Sequence, residues 1–133
     1  MRMGQRLLLV DDEPELLRAL SVRLSAAGFT CDTANNGREA LEKLEGSLPD
    51  LVIVDLLMPE VSGYEVCRRL KEDDRTARIP VIVLTAVPER TVGRAAEWLG
   101  VERVLYKPFD SKLLVATVQE LVRLPPPGGP SHG

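Results

Sequence analysis

Histidine is nearly absent from this chain. The one imidazole in 133 residues, His132, sits in a terminal Gly/Pro run. That excludes general-base catalysis by a positioned histidine, and Ser–His or Cys–His nucleophile activation with it. The two cysteines, Cys31 and Cys67, lie far apart and form no CxxC pair. They offer no zinc ligand set and read as core thiols. Aromatic residues make up 4 % of the chain, too few for a base-stacking platform. No apolar run approaches the roughly 20 residues that cross a bilayer. The run Leu7–Val10 is too short for a signal-peptide core and ends at Asp11-Asp12, which leaves the cytoplasm as the expected location. A basic surplus is also missing. Lys and Arg number 17 against 20 Asp and Glu, for a net charge of -3, so direct nucleic-acid binding is not expected. What chemistry the chain has must come from carboxylates, hydroxyls and lysine.

The remainder is ordinary for one soluble domain, with 44 % hydrophobic and 28 % charged residues. Two kinds of segment alternate. Leu7–Val10, Leu51–Val54 and Val81–Leu84 are short apolar runs, and Phe29–Thr33 and Arg103–Tyr106 are weaker ones. Between them apolar residues recur at helical spacing: Leu16, Leu17, Leu20 and Leu24; Ala40, Leu41 and Leu44; Tyr64, Val66, Cys67 and Leu70; Leu113, Leu114, Val118 and Leu121. Strands that are apolar throughout are buried on both faces, the mark of a parallel sheet covered by helices on each side. The expectation is a three-layer, doubly wound (βα)5 domain of α/β class with a five-stranded parallel sheet. The punctuation agrees. Pro14 suits a first helical turn, Gly28 a helix end, Asn35-Asn36-Gly37 a turn into a helix, and Asp110-Ser111 a helix cap. After Leu124 the chain turns to Pro and Gly, so residues 1–124 are expected to form the domain and 125–133 a flexible tail or linker.

Ligands of an open parallel sheet bind at the carboxyl ends of its strands. There the sequence places Asp11, Asp12 and Glu13 after strand one, Asp55 after strand three, Thr85 after strand four, and Lys107, followed by Pro108, after strand five. Clustered carboxylates repel by a few kcal/mol per pair at close range and raise one another's pKa unless a cation intervenes. A hard divalent ion that keeps some of its waters, Mg2+, suits such a set. A lysine and a hydroxyl beside the metal then form a site for a phosphoryl group, with an ionised carboxylate as nucleophile and no base required. Taken alone, Asp11-Asp12-Glu13 also reads as an acidic helix N-terminus, and Thr85 and Lys107 as ordinary rim residues.

Four motifs in order decide between these readings: Leu8-Leu9-Val10-Asp11-Asp12-Glu13-Pro14, Val52-Ile53-Val54-Asp55-Leu56-Leu57-Met58-Pro59 with Gly63, Val83-Leu84-Thr85-Ala86, and Tyr106-Lys107-Pro108-Phe109. Over about residues 5–123 the chain resembles the receiver domain of two-component response regulators. The resemblance implies a flavodoxin-like, CheY-like fold and a phosphorylation-controlled switch. It implies Asp55 as phosphoacceptor, with Mg2+ held by Asp12, Asp55 and the backbone carbonyl of Leu57, and by Asp11 through water. Thr85 would hydrogen-bond the phosphoryl group, Lys107 would pair with it, and Pro108 would follow a cis peptide bond. The implied partners are a sensor histidine kinase or phosphotransfer protein and a downstream effector domain or protein. They include a second copy of the chain through the face of the fourth helix, fifth strand and fifth helix. No small-molecule turnover and no membrane association are expected.

One position departs from the family pattern. Three residues before the lysine, where the family often carries an aromatic switch, stands Val104. Tyr106 is expected on the other face of that strand. Leu57 and Val87, two residues after Asp55 and Thr85, are expected to flank the approach of water and to slow hydrolysis of an acyl phosphate. Three other classes compete. One is a pseudo-receiver acting as a binding or dimerisation module without phosphorylation, which Val104 favours and the intact acids, threonine and lysine oppose. The second is an aspartyl-phosphate enzyme, for which the chain has no cap insertion. The third is a flavodoxin-like carrier, for which it lacks a phosphate-cradling loop.

Overall fold

The computed structural model describes residues 5–92 and 99–123. Five strands form one parallel sheet: β1 (Arg6–Val10), β2 (Thr30–Ala34), β3 (Leu51–Val54), β4 (Val81–Thr85) and β5 (Arg103–Tyr106), in the order β2-β1-β3-β4-β5. Four bounded helices connect or follow them: α1 (Pro14–Ala26), α2 (Gly37–Gly46), α3 (Gly63–Glu72) and α4 (Ser111–Arg123). Helical residues 89–92 open a further helix between β4 and β5. Residues 93–98, Trp98 among them, lie outside the described residues, as does the tail with His132. The doubly wound (βα)5 architecture is the one the alternating segments imply. No helix among the described residues is long and apolar enough to cross a membrane.

The three apolar strands are central; β3 and β4 are buried along their whole length, and β1 is buried from Leu7 onward. Strand side chains alternate between faces, and here the two faces feed separate cores. Leu8, Val10, Val52, Val54, Val81 and Val83 pack with Ala40 and Leu44 of α2 and Val66, Cys67 and Leu70 of α3. Leu7, Leu9, Leu51, Ile53, Ile82 and Leu84 pack with Leu17, Leu20 and Leu24 of α1 and Leu114, Val118 and Leu121 of α4. Cys67 is fully enclosed, and burial pushes its thiol pKa up to about 12. Cys31, partly buried against the other cluster, is also raised by burial.

The helix ends follow local chemistry. Pro14 starts α1, where its missing N–H costs nothing. The helix closes on Gly28 at φ 101°, with Gly28 N–H donating to the Ser25 carbonyl and Phe29 N–H to that of Leu24, the Schellman pattern. Phe29 thereby belongs to the helix exit, which is why β2 begins one residue later than its apolar run suggests. Asn36 caps α2 by accepting from Glu39 N–H at 2.7 Å, and Ser62 caps α3 by accepting from Glu65 N–H at 3.3 Å. Asp110 accepts from Lys112 N–H at 2.8 Å before α4.

One expectation is corrected. Val104 and Tyr106 pack against the same core cluster, that of α2 and α3. Residues two apart on a strand share a face, so Tyr106 does not turn to the other side. It lies opposite Thr85 in register, as Val104 lies opposite Val83.

The start of α3 sits against the end of β3. A Cβ on Gly63 would lie 2.6 Å from the Leu56 Cα and closer still to the Asp55 carbonyl oxygen. Neither backbone group can yield without moving Asp55. Gly63→Ala is therefore expected to cost about 3 kcal/mol, at the upper end of overpacking penalties, as measured by urea denaturation.

Candidate functional site

The register of the sheet builds the site. Val10 lies opposite Val54, so Asp11 and Asp55 leave the sheet side by side, and Asp55 N–H donates to the Val10 carbonyl at 3.0 Å. These strands flank the point where the winding reverses, the crevice in which such sheets bind ligands. On the other flank Lys107 N–H donates to the Thr85 carbonyl at 2.8 Å. The Lys107–Pro108 peptide bond is cis.

Carboxylate oxygens of Asp11, Asp12 and Asp55 lie within 4.8 Å of one another, so the three could hold a metal ion. Asp11 and Asp55 are buried, whereas Asp12 is exposed. The Lys107 ammonium donates to Asp11 Oδ2 at 3.0 Å and Asp55 Oδ2 at 3.1 Å. The remaining oxygens of both acids meet backbone amides. Glu13 N–H donates to Asp11 Oδ1 at 3.0 Å, and Leu57 N–H to Asp55 Oδ1 at 3.1 Å. Thr85 is wholly buried, and its hydroxyl accepts from Val87 N–H at 3.2 Å. Among the described residues no hydrogen bond joins that hydroxyl to the acids or the lysine. Leu57 turns a 54 % exposed side chain to solvent, while Val87 is buried in the core. Only the first of that pair stands at the rim.

A functional contact that sequence reasoning left without a role belongs to Glu13. Its Oε1 accepts from Lys107 Nζ at 2.8 Å. The available signal was its position before Pro14, which holds a residue in extended backbone and off the helix.

The electrostatics follow from burial opposed by pairing. Burial raises the Asp11 pKa, and the charge of Asp55 adds to it. The hydrogen bond from Lys107, the Glu13 amide and the lysine charge work against that rise without cancelling it. Burial alone would lower the Lys107 pKa, but its bonds to Glu13, Asp11 and Asp55 outweigh that and hold it above the ordinary lysine value. The lysine is a cation beside two acids that are almost fully buried.

The result is a doubly wound α/β domain whose acidic crevice, with a lysine fixed at the carboxyl edge of the sheet, could hold a metal ion. The chain belongs to the response regulator receiver domain family, which it matches over residues 7–119. It is 36 % identical over 125 residues to the phosphate regulon transcriptional regulatory protein PhoB of Pseudomonas aeruginosa, covering 94 % of this chain and 55 % of that protein. It is 37 % identical over 121 residues to the response regulator PleD of Caulobacter vibrioides, covering 91 % of this chain and 27 % of that protein. Among solved structures it superposes on a response regulator of Chloroflexus aurantiacus with a TM-score of 0.86 at 32 % identity, covering 91 % of this chain and 99 % of that one. The chemotaxis protein CheY4 of Vibrio cholerae follows at 0.83 and 29 %, covering 90 % and 99 %. The chain spans about half the length or less of the curated relatives it matches. It is a receiver domain of the two-component type, and receiver domains are signalling switches.

The raised Asp11 pKa has a consequence for stability. The folded protein holds the Asp11 proton to higher pH than the unfolded chain. Stability from this group is thus lost as pH rises from the ordinary carboxylate value through the raised one. Asp11→Asn is expected to flatten that decline and to raise the midpoint of thermal unfolding above it in metal-free buffer, as followed by circular dichroism.

Proposed function

We propose that Asp55 accepts a phosphoryl group from the phosphohistidine of a sensor kinase or phosphotransfer protein, in a Mg2+-dependent reaction that sets the signalling state of the domain. The observation that carries this is the placement of the Lys107 ammonium 3.0 Å from Asp11 and 3.1 Å from Asp55 at the carboxyl edge of the sheet. An Asp55 carboxylate oxygen attacks phosphorus and an O–P bond forms. The N–P bond of the donor breaks, and its electron pair returns to the imidazole nitrogen. Nothing is oxidised or reduced. The carboxylate is already ionised, so positioning and charge neutralisation supply most of the catalysis.

The donor set fits a hard cation, because three carboxylates with oxygens inside 4.8 Å match the ligand preference of Mg2+. Asp12, Asp55 and the Leu57 carbonyl would hold it, with Asp11 acting through water. The ion would supply neutralisation of the charge that develops on the phosphoryl oxygens. Lys107 neutralises a further phosphoryl oxygen. The Thr85 hydroxyl accepts from Val87 N–H and keeps its own proton free to donate. Leu57 N–H holds one Asp55 oxygen in place. With Val104 packed in the core, Tyr106 is the aromatic that lies opposite Thr85.

The phosphorylated form would pass its state to an effector domain or protein. Residues 125–133 have the composition of a linker. The cytoplasm, where such kinases present their phosphohistidine, is the matching compartment. The pseudo-receiver alternative lacks support, because no member of the acid and lysine set is missing.

Incubation with Mg2+ and acetyl phosphate should give one phosphoryl adduct by intact mass, lost in Asp55→Ala and lost on chelation of the metal. Absence of any adduct from small donors and kinases would overturn the assignment, and sustained phosphate release from varied esters would point to an enzyme instead. Leu57→Asn should shorten the life of the adduct several-fold, because it replaces an apolar rim side chain with one that can hold the attacking water. An equal or longer lifetime would remove Leu57 from that role.

A further inference from the structure

Lys107 engages three carboxylates at once. Besides Asp11 and Asp55, its ammonium donates to Glu13 Oε1 at 2.8 Å. An ammonium has three N–H donors and no acceptor, so each donor has a carboxylate. A phosphoryl oxygen on Asp55 can gain the lysine only if one of these is released.

The three acceptors differ in how firmly they are held. The Asp11 and Asp55 side chains are 4 % and 7 % exposed, and a backbone amide pins each from behind. The Glu13 side chain is 61 % exposed, and Lys107 is its one side-chain partner among the described residues. Glu13 also occupies the N-cap position of α1, with extended backbone at φ -101° and ψ 102°. A side-chain oxygen there would ordinarily accept a helix N–H. Glu13 makes no such bond, and its carboxylate goes to the lysine instead.

We propose that Glu13 is a positioning residue for Lys107: in the unphosphorylated domain it occupies the ammonium N–H that a phosphoryl group on Asp55 takes over. This rests on the assignment of Asp55 as phosphoacceptor. The covalent step is unchanged. With acetyl phosphate, the O–P bond to Asp55 forms, the P–O bond of the donor breaks, and acetate leaves. Glu13 enters no bond and is exchanged for the phosphoryl oxygen at the lysine. Releasing an exposed carboxylate into water is cheap, so Glu13 keeps the lysine aimed at the crevice and slows acceptance without preventing it. The carboxylate also repels the incoming phosphoryl group, an effect of the same sign.

The test compares the full chain with Glu13→Gln and Glu15→Gln at saturating Mg2+. Glu15 lies in the first turn of the same helix, and among the described residues no hydrogen bond or ion pair joins it to Lys107, so its variant removes an equal charge without removing the pairing. Glu13→Gln should speed adduct formation from acetyl phosphate and tighten binding of beryllofluoride, a phosphoryl mimic read by fluorine NMR, each by about three-fold, the scale of an exposed ion pair. Glu15→Gln should change either by less than half as much. The ammonium resonance of Lys107 should differ between wild type and Glu13→Gln in the free protein and coincide once beryllofluoride is bound. Equal rates, an equal effect of Glu15→Gln, or a resonance difference that persists in the bound state would overturn the proposal. Failure of the wild type to take either phosphoryl source would overturn the assignment of Asp55 itself, and the role of Glu13 with it.

Discussion

A single half-buried cation holds this crevice together. Asp11 and Asp55 are brought side by side by the pairing of β1 with β3 and are shut away from water. Two anions that close would drive each other toward protonation. Lys107 opposes this from the far side of β4, without cancelling it at Asp11, by contributing a charge that its own partners stabilise. Removal of the lysine would leave both buried acids without their cation, and such losses are large. The lysine charge offsets part of what burial and the neighbouring carboxylate cost Asp11.

That balance is possible only because the sheet places its strand ends with little freedom. Asp11 and Asp55 each follow a buried apolar run, and Lys107 follows β5, whose last residue pairs with Thr85. Each acid has one oxygen on a backbone amide and the other on the lysine. Side chains so constrained reach their working geometry without further ordering, which is where preorganised sites gain their advantage. The close seat of Gly63 on the Asp55 backbone extends the same constraint into α3.

Most of the architecture could be read before any coordinates because the central strands are uninterrupted runs of Leu, Val and Ile. Such runs have one stable setting, between two layers of helices. The edges were harder. β2 has little apolar content and is bounded by the exit of α1, so Phe29 was drawn into the strand by its hydrophobicity when its amide in fact closes a helix. Tyr106 shares its face with Val104 because a strand repeats every two residues, and its register with Thr85 makes it a neighbour of the site. Within the crevice, Asp11, Asp12, Asp55 and Lys107 converge as their strand-end positions suggested. Glu13 passed as a helix-end acid because sequence gives its charge and not the rotamer that carries it to Lys107. Thr85 bonds to its own loop, a local partner that strand position alone does not reveal.

Among the described residues the two core clusters share no side chain, and this division has an evolutionary consequence. The β-sheet acts as a wall: a substitution under α2 and α3 changes packing on one side, while the residues under α1 and α4 keep their neighbours. Effects of changes so separated are close to additive. A lineage can therefore remodel the helices on one flank to suit a new correspondent while the other flank, and the charged rim between them, drifts on its own schedule. Duplicated copies of such a domain can diverge in whom they address before they diverge in what they do.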